Sequence, residues 1–568
     1  MPIDTPSTPL AVRPGFAELY MPKLVTVLRE GYGLAALRAD AMAGLTVAIV
    51  ALPLSMAIAI ASGTTPERGL FTAIVGGFLI SALGGSRFQV GGPAGAFIVL
   101  IASAVDRHGI DGVVMATMMA GIFLAVAGLL RLGTFIKFIP YPVTVGFTAG
   151  IAVIIFASQI KDLLGLELGV KEPAAFVAKV ETLARSLDTI SPGAMTLSLL
   201  TVGLIAGTRK LRPHWPGMLI AVAVAAVATF AFGLPVETIG SRFGGIPSLL
   251  PSPHLPAFSL EKIQAVLPDA VAFALLGAIE SLLSAVVADG MTGRRHRSNC
   301  ELVAQGVANV GASLFGGLPA TGTIARTATN VRAGARGPIA GMMHAVFLLL
   351  FMLLAAPLFA YVPLAALAGV LVVVAWNMAE KYEFLTLLRS SRGDAVVLLA
   401  TFLLTVFRDL TEGIVVGFAL GAVLFIRRVA GATGIEAHAP PINGDRPDSA
   451  DPRVPYDPGL ATDEEVVVYR LSGAFFFGTA SILNAVLDRI GDRHKALVID
   501  FSAVPFVDST AANAIAGIAR KAGRHKVRVF ATGATPAVRH ALLAAGARRP
   551  QVRYRRHIED AVNEARSL

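Results

Sequence analysis

The chain has 568 residues, of which 55% are apolar (AVILMFWYC) and only 15% charged, against about 25% charged in ordinary soluble proteins. So few charges cannot keep a chain of this length dissolved, and apolar runs long enough to cross a bilayer recur through its first three quarters; this is a polytopic membrane protein. A formal charge of +10, from 48 Lys and Arg against 38 Asp and Glu, would suggest nucleic acid in a soluble protein. Here it belongs at membrane edges, so no nucleic-acid partner is expected. The single cysteine, Cys300, excludes an intrachain disulfide and a Cys-based zinc or iron–sulfur site.

In chain order, apolar windows predict about fourteen spans with cores near 43–62, 69–84, 92–106, 112–130, 142–158, 193–208, 217–234, 266–288, 302–316, 322–335, 338–360, 363–379, 394–407 and 412–426; they are called spans 1 to 14 below. Spans 3 and 10 are too short to cross a ~30 Å hydrocarbon core as helices. The opening residues, "MPIDTPSTPLAVRPGF", lack the basic-then-apolar run of a signal peptide, so span 1 is expected to stay in the mature protein. Loops on the N-terminal side hold sixteen Lys and Arg, and the opposite loops nine. This bias places both termini in the cytoplasm.

The spans repeat. "IPYPVTVG" (139–146) and "VPLAALAG" (362–369) share a Pro followed six residues later by a Gly, with Pro140 and Pro363 offset by 223. "GGPAG" (91–95) and "GLPATG" (317–322) share Gly-x-Pro-Ala, with Pro93 and Pro319 offset by 226. Two motifs at nearly one offset indicate a duplicated half, about 41–234 and 266–430. Seven spans per half, an odd number, invert the second copy, a layout characteristic of secondary transporters with substrate near the midplane.

Residues 1–40 read as a cytoplasmic N-terminal segment and 41–430 as the membrane domain. Residues 431–462 form a linker, with its Pro-, Asp- and Gly-rich part at 434–459. Beyond it, strand-like runs at 464–477, 495–504 and around "KVRVFATG" alternate with helical patterns at "SILNAVLDRIG", "DSTAANAIAGIARKAG" and "PAVRHALLAAG". That alternation predicts a small α/β domain over 463–568.

Chemistry concentrates in the short spans. "QVGGPAGAFIVL" (89–100) and "GGLPATGTIART" (316–327) place Gly and Pro where a membrane helix should be continuous. Non-helical backbone survives at that depth only inside protein or beside a cavity, and Pro suits a helix's first turn. Each segment therefore reads as an extended stretch followed by a half-helix, and two inverted half-helices aim their N-termini at one gap, which suits an anion. The plainer reading is two kinked but ordinary spans. Glu280 sits in the otherwise apolar "AFALLGAIESLLSAVV"; an intramembrane carboxylate is a functional candidate, here a proton carrier, or else a structural hydrogen-bond partner. Ser284 shares its helix face. Arg326 neutralises a bound anion, pairs with Glu280, or snorkels to phosphate. The loop "TGRRHRSN" (292–299) reads as solvated, and His344, His108 and the other histidines have no ligand spacing, so no metal site is assigned. Asp508, Ser509 and Thr510 mark a strand-to-helix junction, a modification or partner-binding spot at Ser509 and Thr510 or an ordinary helix cap.

On these residues the chain resembles the sulfate permease (SulP) family of anion transporters with a C-terminal STAS domain. The likeness runs through "GLTVAIVALPLSMAIAIASG" (44–63), "GGSRFQVGGPAGAF" (84–97), "LLGAIESLLSAVVADGMTG" (275–293), "NCELVAQGVANV" (299–310) and "GLPATGTIARTATNVRAGA" (317–335). "GAIESLL" and "DGMTG" look most like the bacterial C4-dicarboxylate branch. The resemblance implies a helical membrane protein of fourteen spans in a 7+7 inverted repeat, with a core domain (spans 1–4 and 8–11), a gate domain (spans 5–7 and 12–14) and the STAS domain. It implies a substrate site at Leu54, Ser55, Ile58, Ala94, Gly95, Ala96, Phe97, Ser284, Gly322, Thr323, Ile324 and Arg326, with Glu280 as the proton-coupling group. Sodium-coupled bicarbonate relatives carry Asp at the position of Glu280 and Gly-Ala-Thr at 322–324; the missing hydroxyl at Ile324 points to protons instead. In STAS regulators Gly follows the phosphoacceptor that matches Thr510, whereas Ala511 stands here. The implied protein is not an enzyme and needs no cofactor. Its partners are a small anion (a C4-dicarboxylate, sulfate or bicarbonate), protons, the lipid bilayer of a bacterial inner membrane, a second copy in a homodimer, and a cytoplasmic protein at the STAS domain. An anion channel, a nucleobase permease and a membrane-tethered signalling protein are the rival readings.

Overall fold

The computed structural model describes residues 15–134, 140–170, 172–173, 175–212, 215–408, 410–431, 434–437, 466–475, 495–524 and 526–567. The chain divides into two compact units, Met1–Phe418 and Ala419–Leu568.

Every predicted span core contains helix, and the cores of spans 3 and 10 begin in extended backbone. Span 1 is Leu34–Ala61, a 28-residue helix with Pro53 inside; at 1.5 Å per residue it is about 42 Å long, ample for a bilayer. Span 2 runs as Pro66–Phe71, a π-helical turn Thr72–Gly76 and Gly77–Leu83. Spans 3 and 4 share one apolar stretch, a 3₁₀ turn Gly95–Phe97 leading into Ile98–Leu129. They separate at Gly109, whose φ of 67° and ψ of −177° break the helix where only glycine tolerates such backbone. Spans 5, 6 and 7 are Tyr141–Leu164, Pro192–Leu211 and Gly217–Phe232, and span 8 is the 33-residue Leu260–Thr292. Spans 9, 10 and 11 are Ser298–Leu314, the 9-residue Ile324–Arg332 and Ile339–Phe359. Spans 12, 13 and 14 are Leu364–Met378, Arg392–Phe407 and Leu410–Gly431.

The duplication shows in what the repeated motifs do. Pro140 and Pro363 are the N-caps of spans 5 and 12, where proline fits because it can neither continue a helix backwards nor donate. The glycine six residues on is a close crossing in both copies. A Cβ on Gly146 would lie 2.5 Å from the Leu398 carbonyl of span 13, and one on Gly369 would lie 3.2 Å from Thr201 of span 6. Small residues let membrane helices approach this closely.

Spans 3 and 10 begin where two short strands meet. β1, Gly91–Gly92, pairs antiparallel with β2, Thr321–Gly322, with Gly91 opposite Gly322 and Gly92 opposite Thr321. Span 2 makes room for them. A Cβ on Gly77 would lie 2.9 Å from the Gly91 carbonyl, and one on Gly76 would lie 2.8 Å from Ala320 Cβ. The π turn beside them points Thr72 at the second segment, and its Oγ1 accepts the Leu318 amide at 2.7 Å; single π turns recur at functional sites.

One sequence-based reading of a loop changes. The 292–299 loop is not simply solvated: Arg297 Nη1 donates to the Met21 carbonyl at 2.6 Å, and His296 Nδ1 lies 2.7 Å from Asp289 Oδ2. The N-terminal segment it grips is partly helical, at Phe16–Tyr20 and Lys23–Arg29.

In the second unit the described residues form five strands, numbered β3 to β7 in chain order and paired in that order in one sheet. They are Gly434–Ala437, Val466–Ser472, Ala496–Ala503, Arg528–Thr532 and Val552–Arg555. β3 is antiparallel to β4, and the remaining pairs are parallel. Helices Ser509–Arg524, Pro536–Ala544 and Ile558–Arg566 accompany them. β3 corrects the linker: four residues of the stretch read as spacer form an edge strand. Their composition hid it, because an edge strand needs only backbone pairing on one side. β7 and the last helix also went unpredicted. The helical pattern "SILNAVLDRIG" lies outside the described residues.

Candidate functional site

Antiparallel pairing sends the chains leaving β1 and β2 in opposite directions, so the N-terminal ends of half-helices 3 and 10 meet at the strand pair. The first amides of each have no acceptor among the described residues: Gly95 and Ala96 in one, Ile324 and Ala325 in the other. A helix leaves its leading N–H groups unpaired, and here two such sets sit within the membrane domain.

Arg326, one turn into half-helix 10, is only 2% exposed. Its Nη2 donates to Ser55 Oγ at 3.1 Å and to the Pro93 carbonyl at 3.3 Å, tying span 1 to the start of half-helix 3. Its Nε and Nη1 are buried without an acceptor. Nη1 lies where a Cβ on Gly92 would stand, so the strand glycine makes room for the guanidinium. The expected alternative of an Arg326–Glu280 ion pair is not formed, because the donors that bond go to Ser55 and Pro93. Two unsatisfied N–H groups on a buried cation are costly unless something accepts from them.

The other predicted residues gather around this centre. Leu54, Ser55 and Ile58 are buried on span 1. Gly95 faces spans 5 and 12, where a Cβ would lie 3.6 Å from Ile155 Cδ1 and 3.5 Å from Met378 Sδ. Ala94 and Ala96 are buried, and Phe97 packs edge-on against Phe273 of span 8 with centroids 6.0 Å apart. Thr323 is taken up by the scaffold: its amide and its hydroxyl both donate to the Val90 carbonyl, at 3.0 and 3.1 Å. So is Ser284, whose hydroxyl donates to Thr327 Oγ1 at 2.9 Å. Glu280 is largely buried, with no hydrogen bond or ion pair among the described residues.

Sequence reasoning missed the residues that hold the site together. Thr327 Oγ1 also accepts the Val90 amide at 3.1 Å, so one hydroxyl joins spans 3, 8 and 10. Asn309 of span 9 clamps Ala320, accepting its amide at 2.9 Å and donating to its carbonyl at 2.8 Å. Asn330 Nδ2 donates to the Phe88 carbonyl at 2.9 Å, and Thr321 Oγ1 donates to the Gly277 carbonyl at 3.0 Å. Their signal is a polar residue in a span beside a broken segment, which must satisfy the backbone freed there. His344 is fully buried with both ring nitrogens unpartnered. No cluster of three metal-ligating side chains occurs among the described residues.

In the second unit Asp508 Oδ1 accepts the Ala511 amide at 2.8 Å, an ordinary N-cap bond. Ser509 beside it is exposed, and the side chain of Thr510 lies outside the described residues.

Residues 37–401 match the sulfate permease family and residues 457–565 the STAS domain. YvdB of Bacillus subtilis (strain 168), provisionally named a sulfate transporter, is 40% identical over 89% of this chain and 93% of its own. The bicarbonate transporter BicA of Picosynechococcus sp. (strain ATCC 27264 / PCC 7002 / PR-6) is 31% identical over 89% of this chain and 90% of its own. The murine Slc26a9 anion transporter, solved in the inward-facing state, shares the fold at a TM-score of 0.84, with 17% identity over 99% of this chain and 97% of that one. The chain therefore belongs to the sulfate permease family, as a multi-pass membrane transporter, not an enzyme, with a C-terminal STAS domain.

Proposed function

We propose that the protein is a proton-coupled secondary transporter of a small anion of the C4-dicarboxylate, sulfate or bicarbonate class. The observation carrying this reading is the pair of half-helix N-termini around β1 and β2, with Arg326 buried among them and two of its N–H groups lacking acceptors. A bound anion supplies what those groups lack, and fixed amides select charge and size rather than one chemical identity. In alternating access, the core (spans 1–4 and 8–11) carries the site past the gate (spans 5–7 and 12–14). Glu280, which has no cation of its own, takes up a proton with the anion because the neutral acid repels a negative substrate less. The B. subtilis and cyanobacterial relatives, named for sulfate and bicarbonate, support the substrate class.

The same reading puts both termini in the cytoplasm of a bacterium, the bundle in its inner membrane as a homodimer, and a regulatory partner at the STAS domain near Ser509 and Thr510. The deciding experiment is uptake of labelled succinate, sulfate and bicarbonate into proteoliposomes under separately imposed proton and sodium gradients. Accumulation of one of them driven by protons is the expected result. Accumulation driven only by sodium defeats the coupling, and no uptake of any anion defeats the function.

A further inference from the structure

Span 9 carries a buried carboxylate that the transport scheme does not use. Glu301 is 0% exposed, and no Lys or Arg pairs with it among the described residues. Neutral donors surround it instead. Its Oε2 accepts the Ser86 amide at 3.0 Å, and its Oε1 accepts Gln305 Nε2 at 3.0 Å and, at a long 3.5 Å, the Ser281 hydroxyl. Ser281 in turn accepts Gln89 Nε2 at 2.8 Å. The Gln89 carboxamide lies across the Cα of Gly322, in the space a β-carbon there would occupy. A chain of polar groups thus runs from Glu301 on span 9, through Ser281 on span 8 next to Glu280, to a side chain that leaves the segment before β1 and covers β2.

We propose that Glu301 is a positioning residue for the anion site, holding Gln89 across Gly322 through Ser281 and so setting the spacing of the two strands that carry the half-helices. The proposal rests on the anion-site reading only for its consequence in transport. An ion pair in this place would also anchor the loop, but a carboxylate offers two acceptor oxygens with no donor. One oxygen holds the Ser86 loop while the other orients Ser281, whose remaining capacity accepts from Gln89. Glutamine at 301 has one acceptor oxygen and therefore cannot do both.

The test is hydrogen–deuterium exchange on the full-length protein in detergent, with Glu301→Gln, Ser281→Ala, Gln89→Leu and the Glu301→Gln/Gln89→Leu double variant. Each single change is expected to speed exchange over 89–97 and also over 318–327, a segment Glu301 does not touch. The double variant is expected to go no further than the larger single effect, since both act through one chain. Acceleration confined to 84–88 by Glu301→Gln, or additive effects in the double variant, overturns the proposal. Ser281→Ala removes only the link, so it gives the answer even if Glu301→Gln folds poorly. With labelled sulfate as the probe, each single variant is expected to raise KM about three- to tenfold at unchanged maximal rate. Altered exchange with unaltered KM would defeat the link to transport while leaving the strand-spacing role intact. Absence of sulfate uptake by the unaltered protein would bear on the transport reading alone.

Discussion

Arg326 sets a cost in folding against the anion-binding role proposed for it. A wholly buried guanidinium with two unsatisfied N–H groups costs folding energy, and an apolar residue of similar size would relieve it. Arg326→Met is therefore expected to leave the thermal unfolding temperature of the purified protein unchanged or raise it, while proteoliposome uptake falls by more than about tenfold. A variant that melts well below the unaltered protein would show the arginine to be a scaffold residue. Glu280→Gln keeps the shape of the side chain and removes its titration. The expected outcome is normal folding with loss of pH-driven accumulation, and driven uptake equal to the unaltered protein would end Glu280's coupling role. Glu280 stands out in the sequence because an isolated charge in an apolar run is conspicuous, and Arg326 because it follows a Gly- and Pro-broken segment. Thr327 was not: a threonine inside "TGTIARTATN" has no feature separating it from its neighbours, and only the fold brings Val90 and Ser284 to its one hydroxyl.

The proposed site is built from the two interrupted spans, and span 2 is shaped to receive them. Gly77 packs directly on the Gly91 carbonyl, so Gly77→Val must push β1 away from the helix. A loss of about 1–3 kcal/mol is expected from overpacking, together with weaker anion binding, and a melting curve with sulfate uptake checks both. Thr327→Val keeps the volume but strips acceptors from the Val90 amide and the Ser284 hydroxyl. About 1–3 kcal/mol is expected for each buried group left unsatisfied. The breaks themselves were readable from Gly and Pro in segments too short to span. Their pairing as strands was not, because two residues of strand carry no periodicity to detect.

Across the whole molecule, the chain joins an apolar bundle to an α/β unit, and the α/β unit has a pH-sensitive ion pair of its own. In the second unit Glu564 bonds both Arg553, at 2.6 Å, and Arg555. Burial pushes its carboxyl up, but the two arginine hydrogen bonds outweigh that and hold it below the usual value of 4.5. A depressed carboxylate contributes stability that is present above its unfolded value and lost as pH falls through the folded one. Glu564→Gln is thus expected to lower the melting temperature of this unit at neutral pH by a small amount, on the order of 2 °C for a half-buried pair. The difference should vanish well below pH 4.5. A difference that persists in acid would trace the effect to packing.

What the sequence determined by itself is what rests on composition and short-range pattern. The fourteen spans follow from the length of apolar runs, the inverted halves from Pro140, Pro363, Pro93 and Pro319, and the two interrupted spans from Gly and Pro at their starts. Tertiary structure decided the rest. It chose Ser55 and Pro93 over Glu280 as the partners of Arg326, drew β3 out of an apparent linker, and brought Thr327 and Glu301 to the backbone of segments far away in the chain. The physical reason is that hydrophobicity and helix breaking are local properties of a few consecutive residues. A hydrogen bond inside the membrane is instead fixed by which donor and acceptor packing brings within about 3 Å, and sequence spacing does not encode that distance.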